Sequence, residues 1–176
     1  MVMREMRVVA IGMDPRAGSP VLLLQETAAQ RRVLPVWVGP AEANAIELER
    51  RHIPTHRPLT HQLICQVIGS CGRRLEGVCV TSLHEGTFHA ELVISPDVRV
   101  SARVSDAVAM ALHQGLSIHA AEAVLEEAAM ADLHVIDAGL DEGDDPAAAL
   151  PVDESAELER MRRFLDDARP EDFDTS

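Results

Sequence analysis

Four side chains between residues 89 and 106 have the types that phosphoester chemistry requires. Metal-assisted hydrolysis of a phosphodiester needs carboxylates or imidazoles to hold an ion, a polarised water, and a cation that stabilises charge on the phosphate. Arg103 supplies the cation, and its planar fork suits a phosphate group. We therefore predict a catalytic group consisting of Glu91, Asp106, Arg103 and His89, with a divalent ion, Mg²⁺ or Mn²⁺, held by Glu91 and Asp106.

The same residues also have a purely structural interpretation. Glu91 and Arg103 can form a charge pair across neighbouring strands, which stabilises a sheet without any catalytic role. Asp106 can be an acid in the first turn of a helix, where the helix dipole favours negative charge. Both interpretations stay open at the level of sequence.

A second set of polar residues lies at the predicted starts of two helices. Glu42 and Asn44 follow Pro40, a residue favoured at the first helical position, and both can line a crevice. Thr60 fits an N-cap better than a ligand. His61 follows it, at a helix N-terminus where phosphate groups bind well. We predict that the substrate-binding residues are Glu42, Asn44, Thr60 and His61.

The register of a predicted hairpin places the catalytic candidates. Apolar residues alternate with polar ones in 87–94 and again in 98–104, so one face of each strand is apolar. Those faces match only if three residues, 95–97, form the loop and Ile94 pairs with Val98. His89 then lies opposite Arg103, and the opposite face of the hairpin is polar.

Hydrophobic periodicity and turn residues predict the remaining elements. Thr60 is expected to cap a helix whose apolar stripe packs on a sheet, and Gly115 to end a later helix. The expected strands are 6–13, 20–25, 33–38, 74–83, 87–94 and 98–104, and the expected helices are 40–51, 61–71, 107–113 and one within 118–129 after a short strand or turn. These elements predict a compact single α+β domain, with largely antiparallel sheet covered by about three helices.

Charge is distributed unevenly along the 176 residues. The net charge is −13, yet fifteen of the 29 acidic residues and only four of the 16 basic ones lie from Asp132 onward. We expect a domain in residues 1–131 and an acidic linker with a short helix in 132–176. The near-neutral body argues only mildly against a nucleic-acid partner, because phosphate binding relies on local basic residues.

Other features indicate a reduced, cytoplasmic protein. No run of about 18 apolar residues occurs that could span a membrane, and the charged N-terminus is unlike a secretory signal. Cys65, Cys71 and Cys79 have neither metal-knuckle nor disulfide-framework spacing and are expected to be core thiols. Trp37 lies on an apolar strand, which favours a core position over a base-stacking one.

Four segments together resemble the bifunctional nuclease (BFN) family. The segments, which cover roughly residues 5–130, are Leu34-Pro-Val-Trp-Val-Gly-Pro-Ala-Glu-Ala-Asn-Ala-Ile46, Arg57-Pro-Leu-Thr-His61, Glu85-Gly-Thr-Phe-His-Ala-Glu-Leu92 and Ala102-Arg-Val-Ser-Asp-Ala-Val-Ala-Met-Ala-Leu112. The resemblance implies a compact α+β domain that commonly self-associates, most simply as a homodimer, and that degrades RNA and DNA.

The chain departs from the family pattern at the hairpin. Where the pattern has Asp-Ala-Arg-Pro-Ser-Asp, this chain has Ser101 and Val104 in the Asp and Pro positions, and His89 replaces an aromatic residue. The expected Asp would face Glu91 and form a carboxylate pair of the kind that holds a divalent ion. That pair is broken here.

These features predict a nuclease that hydrolyses RNA or DNA phosphodiesters with low sequence specificity. The first alternative is a non-enzymatic binding or regulatory module of the same fold. The second is a hydrolase for a small phosphorylated or carboxylated molecule, which suits the weak basic character.

Overall fold

Seven strands form one mixed sheet in the computed structural model, which describes residues 2–14, 17–28 and 30–130. The acidic linker and helix expected in 132–176 lie outside the described residues. The strands are β1 (Met3–Asp14), β2 (Ser19–Glu26), β3 (Val33–Trp37), β4 (Leu75–His84), β5 (Thr87–Ile94), β6 (Val98–Arg103) and β7 (Ile118–Ala121). The helices are α1 (Pro40–Arg50), α2 (Thr60–Ser70), α3 (Val104–Gln114) and α4 (Glu122–Ala128).

The sheet has the order β3-β2-β1-β7-β4-β5-β6. All neighbouring strands are antiparallel except β4 and β7, which run parallel. The predicted α+β class and the antiparallel meander of β4, β5 and β6 are confirmed. A short strand or turn was expected at the start of 118–129. The sequence did not indicate that this strand, β7, joins the two antiparallel halves of the sheet.

The predicted hairpin register is confirmed. Ile94 pairs with Val98, His89 with Arg103 and Glu91 with Ser101. Because side chains alternate across a strand, Ala90 and Leu92 point into the core while His89 and Glu91 point to the opposite face.

Helix α3 is the centre of the hydrophobic core. Its residues Ala107 to Ala111 are all buried, and the helix packs against α1 and against β4 and β5. A helix buried over most of its circumference is expected to be apolar where it is buried, as residues 107–111 are. It therefore fixes the position of its own first turn, which carries polar residues.

Two predicted helix starts are wrong by a few residues. α2 begins at Thr60 with Leu59 as its N-cap, so Thr60 is the first helical residue and not the cap. The side chain of Gln62 instead reaches back to the N-cap, because its Oε1 accepts the Leu59 N–H at 3.0 Å. α3 begins at Val104, earlier than predicted, with Arg103 as its N-cap.

Three apolar expectations also fail. Trp37 is 53% exposed, and the α2 residues Leu63 and Val67 are 51% and 53% exposed. α2 packs chiefly against α3 instead of covering the sheet, so it buries little of its stripe. Of the three free cysteines Cys65 is buried, where burial raises the pKa of its thiol, but Cys71 is exposed.

A buried ion network ties α4 to the sheet. Glu26 is only 2% exposed, and both of its carboxylate oxygens accept hydrogen bonds from Arg32, at 2.9 and 3.1 Å. Arg32 also binds Glu122 on α4, which in turn accepts a hydrogen bond from Arg4. The hydrogen bond from Arg32 holds the pKa of Glu26 below its ordinary value in spite of burial.

None of the helices in the described part of the chain is long and apolar enough to cross a membrane.

Candidate functional site

Arg103 connects the starts of two helices. Its Nε and Nη2 donate to the two carboxylate oxygens of Asp106, at 2.7 and 3.0 Å, which is a bidentate contact one helical turn along α3. Its Nη1 donates to Oε1 of Glu42 in the first turn of α1, at 2.9 Å. The hydrogen bonds to Asp106 and Glu42 raise the pKa of the Arg103 guanidinium, which stays a cation.

His61 lies on the other side of Asp106. Its Nε2 is 3.0 Å from Oδ1 of Asp106, the oxygen that also accepts from Arg103. Burial alone would raise the pKa of Asp106, but the hydrogen bonds from Arg103 and His61 outweigh burial and lower it. Asp106 is therefore an ionised carboxylate that orients one imidazole and one guanidinium.

Gly39 leaves room for Glu42. A Cβ at residue 39 would collide with the Glu42 carboxylate, which folds back over the start of α1. The φ of Gly39 is −74°, which any residue adopts, so space and not backbone conformation is what requires glycine here. The Gly39-Pro40 pair thus ends β3 and also lets Glu42 reach Arg103.

A second polar group connects the start of α2 to α1 and α3. Glu49 on α1 accepts hydrogen bonds from Gln62 at 2.7 Å and from His113 on α3 at 3.1 Å. Gln62 also binds the backbone at the start of α2, next to His61. Sequence reasoning missed these three residues, since Glu49, Gln62 and His113 lie far apart in the chain and have no motif spacing.

Six of the eight predicted site residues line one cavity of about 370 Å³. They are Glu42, Asn44, Thr60, His61, Arg103 and Asp106. The structure thus joins all four predicted substrate-binding residues to two of the predicted catalytic ones. Their roles stay predictions, but their proximity is a property of the fold.

The other two candidates lie elsewhere. Glu91 accepts a hydrogen bond from Arg99 at 3.2 Å and lines a different cavity, with Met3, Cys79 and Arg99. His89 contacts the ring of His84, with ring centroids 5.8 Å apart. The structure places neither Glu91 nor His89 among the residues that line the Asp106 cavity.

The comparison with protein families identifies the domain. A model described as a bifunctional nuclease domain matches residues 22–132, which is more than half of the chain. The chain belongs to the bifunctional nuclease domain family. Two uncharacterized proteins from strains of Mycobacterium tuberculosis are each 41% identical to it over 171 residues, covering 97% of this chain and 98% of each relative.

The family match includes the whole candidate site of this bifunctional nuclease domain, since Glu42, His61, Arg103 and Asp106 all lie within 22–132. The resemblance drawn from the four sequence segments is confirmed. The curated relatives carry no activity in their names, so catalysis by this chain is a separate question.

The donors of this bifunctional nuclease domain do not fit a resident divalent ion. Across residues 2–14, 17–28 and 30–130, no three His, Cys, Asp or Glu side chains are arranged to hold a metal. The Arg103 guanidinium lies between the Glu42 and Asp106 carboxylates, forms hydrogen bonds to both and offsets one of their two negative charges. Glu91, the other predicted ligand, is paired with Arg99. The carboxylates that the sequence analysis assigned to a divalent ion are thus both paired with arginines in the described part of the chain.

Proposed function

We propose that the chain is a nuclease that cleaves phosphodiester bonds at the cavity lined by His61, Arg103 and Asp106. One observation carries this proposal: a single carboxylate, Asp106, binds both the imidazole of His61 and the guanidinium of Arg103. Phosphodiester cleavage needs a base for the attacking hydroxyl and a cation for the developing negative charge. This site offers both within one cavity.

The roles follow from the hydrogen bonds. When Nε2 of His61 donates to Asp106, Nδ1 is left as the acceptor nitrogen and can take a proton from a water or an RNA 2′-hydroxyl. The oxygen then attacks phosphorus, the bond to the leaving oxygen breaks, and the proton passes to that oxygen. Arg103, still partly exposed at the cavity, stabilises the negative charge on the phosphate.

Low sequence specificity is consistent with this arrangement. Arg103 and His61 act on the phosphate and on a hydroxyl, which every nucleotide shares. Asn44 and Thr60 line the same cavity and can bind sugar or phosphate oxygens. The runner-up functions are a binding module without turnover and a hydrolase for a small phosphorylated molecule.

The direct test is incubation of purified protein with end-labelled single-stranded RNA and DNA, in chelator and separately in Mg²⁺ or Mn²⁺. The proposal expects cleavage that persists in chelator, because it assigns the base to His61 and the cation to Arg103. Affinity without cleavage would favour the binding module. Intact polymers together with hydrolysis of a small phosphoester would favour the third function.

We also propose that a second copy of the chain covers the exposed apolar residues of α2 and β6. Leu63, Ile64 and Val67 on α2 and Val98 and Val100 on β6 are all more than a third exposed. β6 is the last strand of the sheet, and no described strand pairs with its outer edge. An open edge with apolar side chains favours pairing with another strand.

Charge selects the register of such a pair. If two β6 strands run antiparallel with Val100 opposite its own copy, Val98 lies opposite Ala102 and Arg99 opposite Ser101. Centring the pair on Arg99 or on Ser101 instead would place two arginines opposite one another, which is unfavourable. The pairing centred on Val100 avoids this repulsion and gives a symmetric dimer.

A further inference from the structure

The only Trp of the chain lies at the rim of a second cavity, next to the candidate site. Trp37 is 53% exposed although Val33, Leu34 and Val36 on the same strand are buried. The cavity has a volume of about 420 Å³, and Trp37, Phe88 and Arg103 are among its lining residues. A large indole left half in solvent beside a cavity is typical of a surface that meets a ligand or partner.

Two glycines are among the residues that line this cavity. Gly39 and Gly86 both line it, at the end of β3 and in the turn between β4 and β5. At Gly86 a Cβ would meet nothing within 4 Å, so the space beside it is open. The space beside Gly39 is taken by the Glu42 carboxylate, so the open part of this cavity lies at Gly86, in the turn between β4 and β5.

The indole is held in one orientation. Its Nε1–H donates to Oδ2 of Asp14 at the end of β1, at 3.0 Å. This bond satisfies the polar edge of the ring and leaves its apolar faces for contact. A side chain fixed before binding loses less conformational freedom when a ligand stacks on it.

The two cavities share their boundary. Glu42 and Arg103 line both the Trp37 cavity and the cavity that contains His61 and Asp106. A phosphate held at Arg103 therefore has the His61 cavity on one side and the Trp37 cavity on the other. Successive units of a polymer can occupy the two cavities, whereas a small phosphoester fills only one.

We propose that Trp37 stacks a nucleobase of a single-stranded nucleic acid whose adjacent phosphate lies at Arg103. This inference rests on the proposed nuclease function and names its substrate as an unpaired strand, since a base within a duplex has no free face. Stacking on an aromatic ring is tolerant of sequence because every base has a π-face. It supplies affinity that a nearly neutral domain cannot obtain from phosphate contacts alone.

The chain carries its own reporter for this contact. Trp37 is the single Trp, so the intrinsic indole emission of the full chain reports on this one side chain. The experiment titrates the protein with a phosphorothioate-linked, cleavage-resistant single-stranded oligonucleotide, and with an abasic strand of the same length and charge. We expect saturable quenching by the strand with bases and little change with the abasic strand.

Variants measure the contribution of the ring. Trp37→Ala should weaken binding of the same labelled oligonucleotide by about 5- to 150-fold, the range that corresponds to one stacked base. Trp37→Phe should retain much of the affinity because it keeps an aromatic face. Ile53→Ala removes an exposed apolar side chain that lines neither cavity and should leave binding unchanged.

Failure of this inference can be distinguished from failure of the nuclease proposal. Equal quenching by abasic and normal strands, or emission that depends on protein concentration alone, would overturn the stacking contact. Cleavage of RNA without base-dependent quenching would overturn it too while leaving the nuclease function standing. Base-dependent quenching without any cleavage would support the Trp37 contact and contradict the catalytic proposal. The quenching titration uses the wild-type protein, so its result does not depend on whether a variant folds.

Discussion

The Nε atom of Arg103 lies 2.7 Å from Oδ2 of Asp106, one helical turn further along the chain. Arg103 is both the last residue of β6 and the N-cap of α3, and Asp106 lies in the first turn of α3. The helix geometry therefore sets the distance between Arg103 and Asp106. Burial of α3 in the core then holds both side chains at the cavity. The geometry of the site is thus a consequence of how one strand runs directly into one helix.

Replacing Arg103 by Lys should impair the site although the charge is kept. The guanidinium binds Asp106 through two nitrogens and Glu42 through the third, and an ammonium group cannot reproduce that fork. We expect kcat/KM for single-stranded RNA to fall by about tenfold or more, the size of one charge-assisted contact. Arg99→Lys, at the Glu91 pair, is the matched control and should leave steady-state kinetics unchanged.

Gly39→Ala should disturb the site with little effect on the fold. The new methyl group would displace the flexible Glu42 carboxylate and so remove one partner of Arg103. We expect the free energy of unfolding to fall by less than about 1 kcal/mol while cleavage slows, as measured by urea unfolding and initial rates. Gly12→Ala is the control, since a Cβ there meets nothing within 4 Å. Unchanged cleavage in Gly39→Ala would show that Glu42 does not support Arg103.

Glu26→Gln should be the most destabilising of the carboxylate substitutions considered. It leaves the Arg32 guanidinium partly unpaired in a buried environment, and breaking a buried pair in this way costs about 3 kcal/mol. Glu76→Gln removes an exposed pair with Arg74 at 3.9 Å and should change stability by less than about 0.5 kcal/mol. Urea unfolding followed by circular dichroism measures both. Equal stabilities would contradict a structural role for the network.

Acid should weaken the fold through the same carboxylate. The folded-state pKa of Glu26 is lowered from 4.5 by its hydrogen bond to Arg32, so its contribution is present above pH 4.5. That contribution is lost as the pH falls below 4.5 through the folded-state pKa. Unfolding free energies measured across this range should decline more steeply for the wild type than for Glu26→Gln. Parallel curves would assign the acid sensitivity to other groups.

Val67→Asp should prevent the proposed self-association. It places a charge in the exposed apolar residues of α2, where a second copy would have to bury it. Light scattering after gel filtration should give a dimer for the wild type and a monomer for the variant. Gln66→Asp, a change at a polar exposed residue of the same helix, controls for the added charge. A monomeric wild type would refute this proposal.

Local chemistry made much of the fold predictable. The β5–β6 register followed from matching apolar faces, and the observed pairing of Ile94 with Val98 confirms it. Gly115 ends α3 in the left-handed conformation, as a glycine just after a helix is expected to do. The Thr60 cap failed because the helix begins one residue earlier, with Leu59 as its N-cap, and the Gln62 side chain accepts the Leu59 N–H.

Tertiary arrangement was less accessible from sequence. Trp37 was expected in the core because it lies on an apolar strand predicted to span 33–38, but β3 ends at Trp37 beside a cavity and leaves the indole exposed. Glu91 was predicted to share a divalent ion with Asp106 because both are carboxylates between residues 89 and 106. In the structure Arg103 binds residues of α1 and α3, and Glu91 binds Arg99. The pairing register of two strands does not determine which charged side chain an arginine contacts.

The most direct test of the proposed site compares single-turnover cleavage of labelled single-stranded RNA by the wild type, Asp106→Asn and Glu91→Gln, with folding checked by circular dichroism. Asp106→Asn removes the charge that orients His61 and Arg103, whereas Glu91→Gln changes a carboxylate in another cavity. We predict that cleavage falls by at least about a hundredfold in Asp106→Asn and is retained in Glu91→Gln. Loss of cleavage in Glu91→Gln with full activity in Asp106→Asn would contradict this assignment of the site.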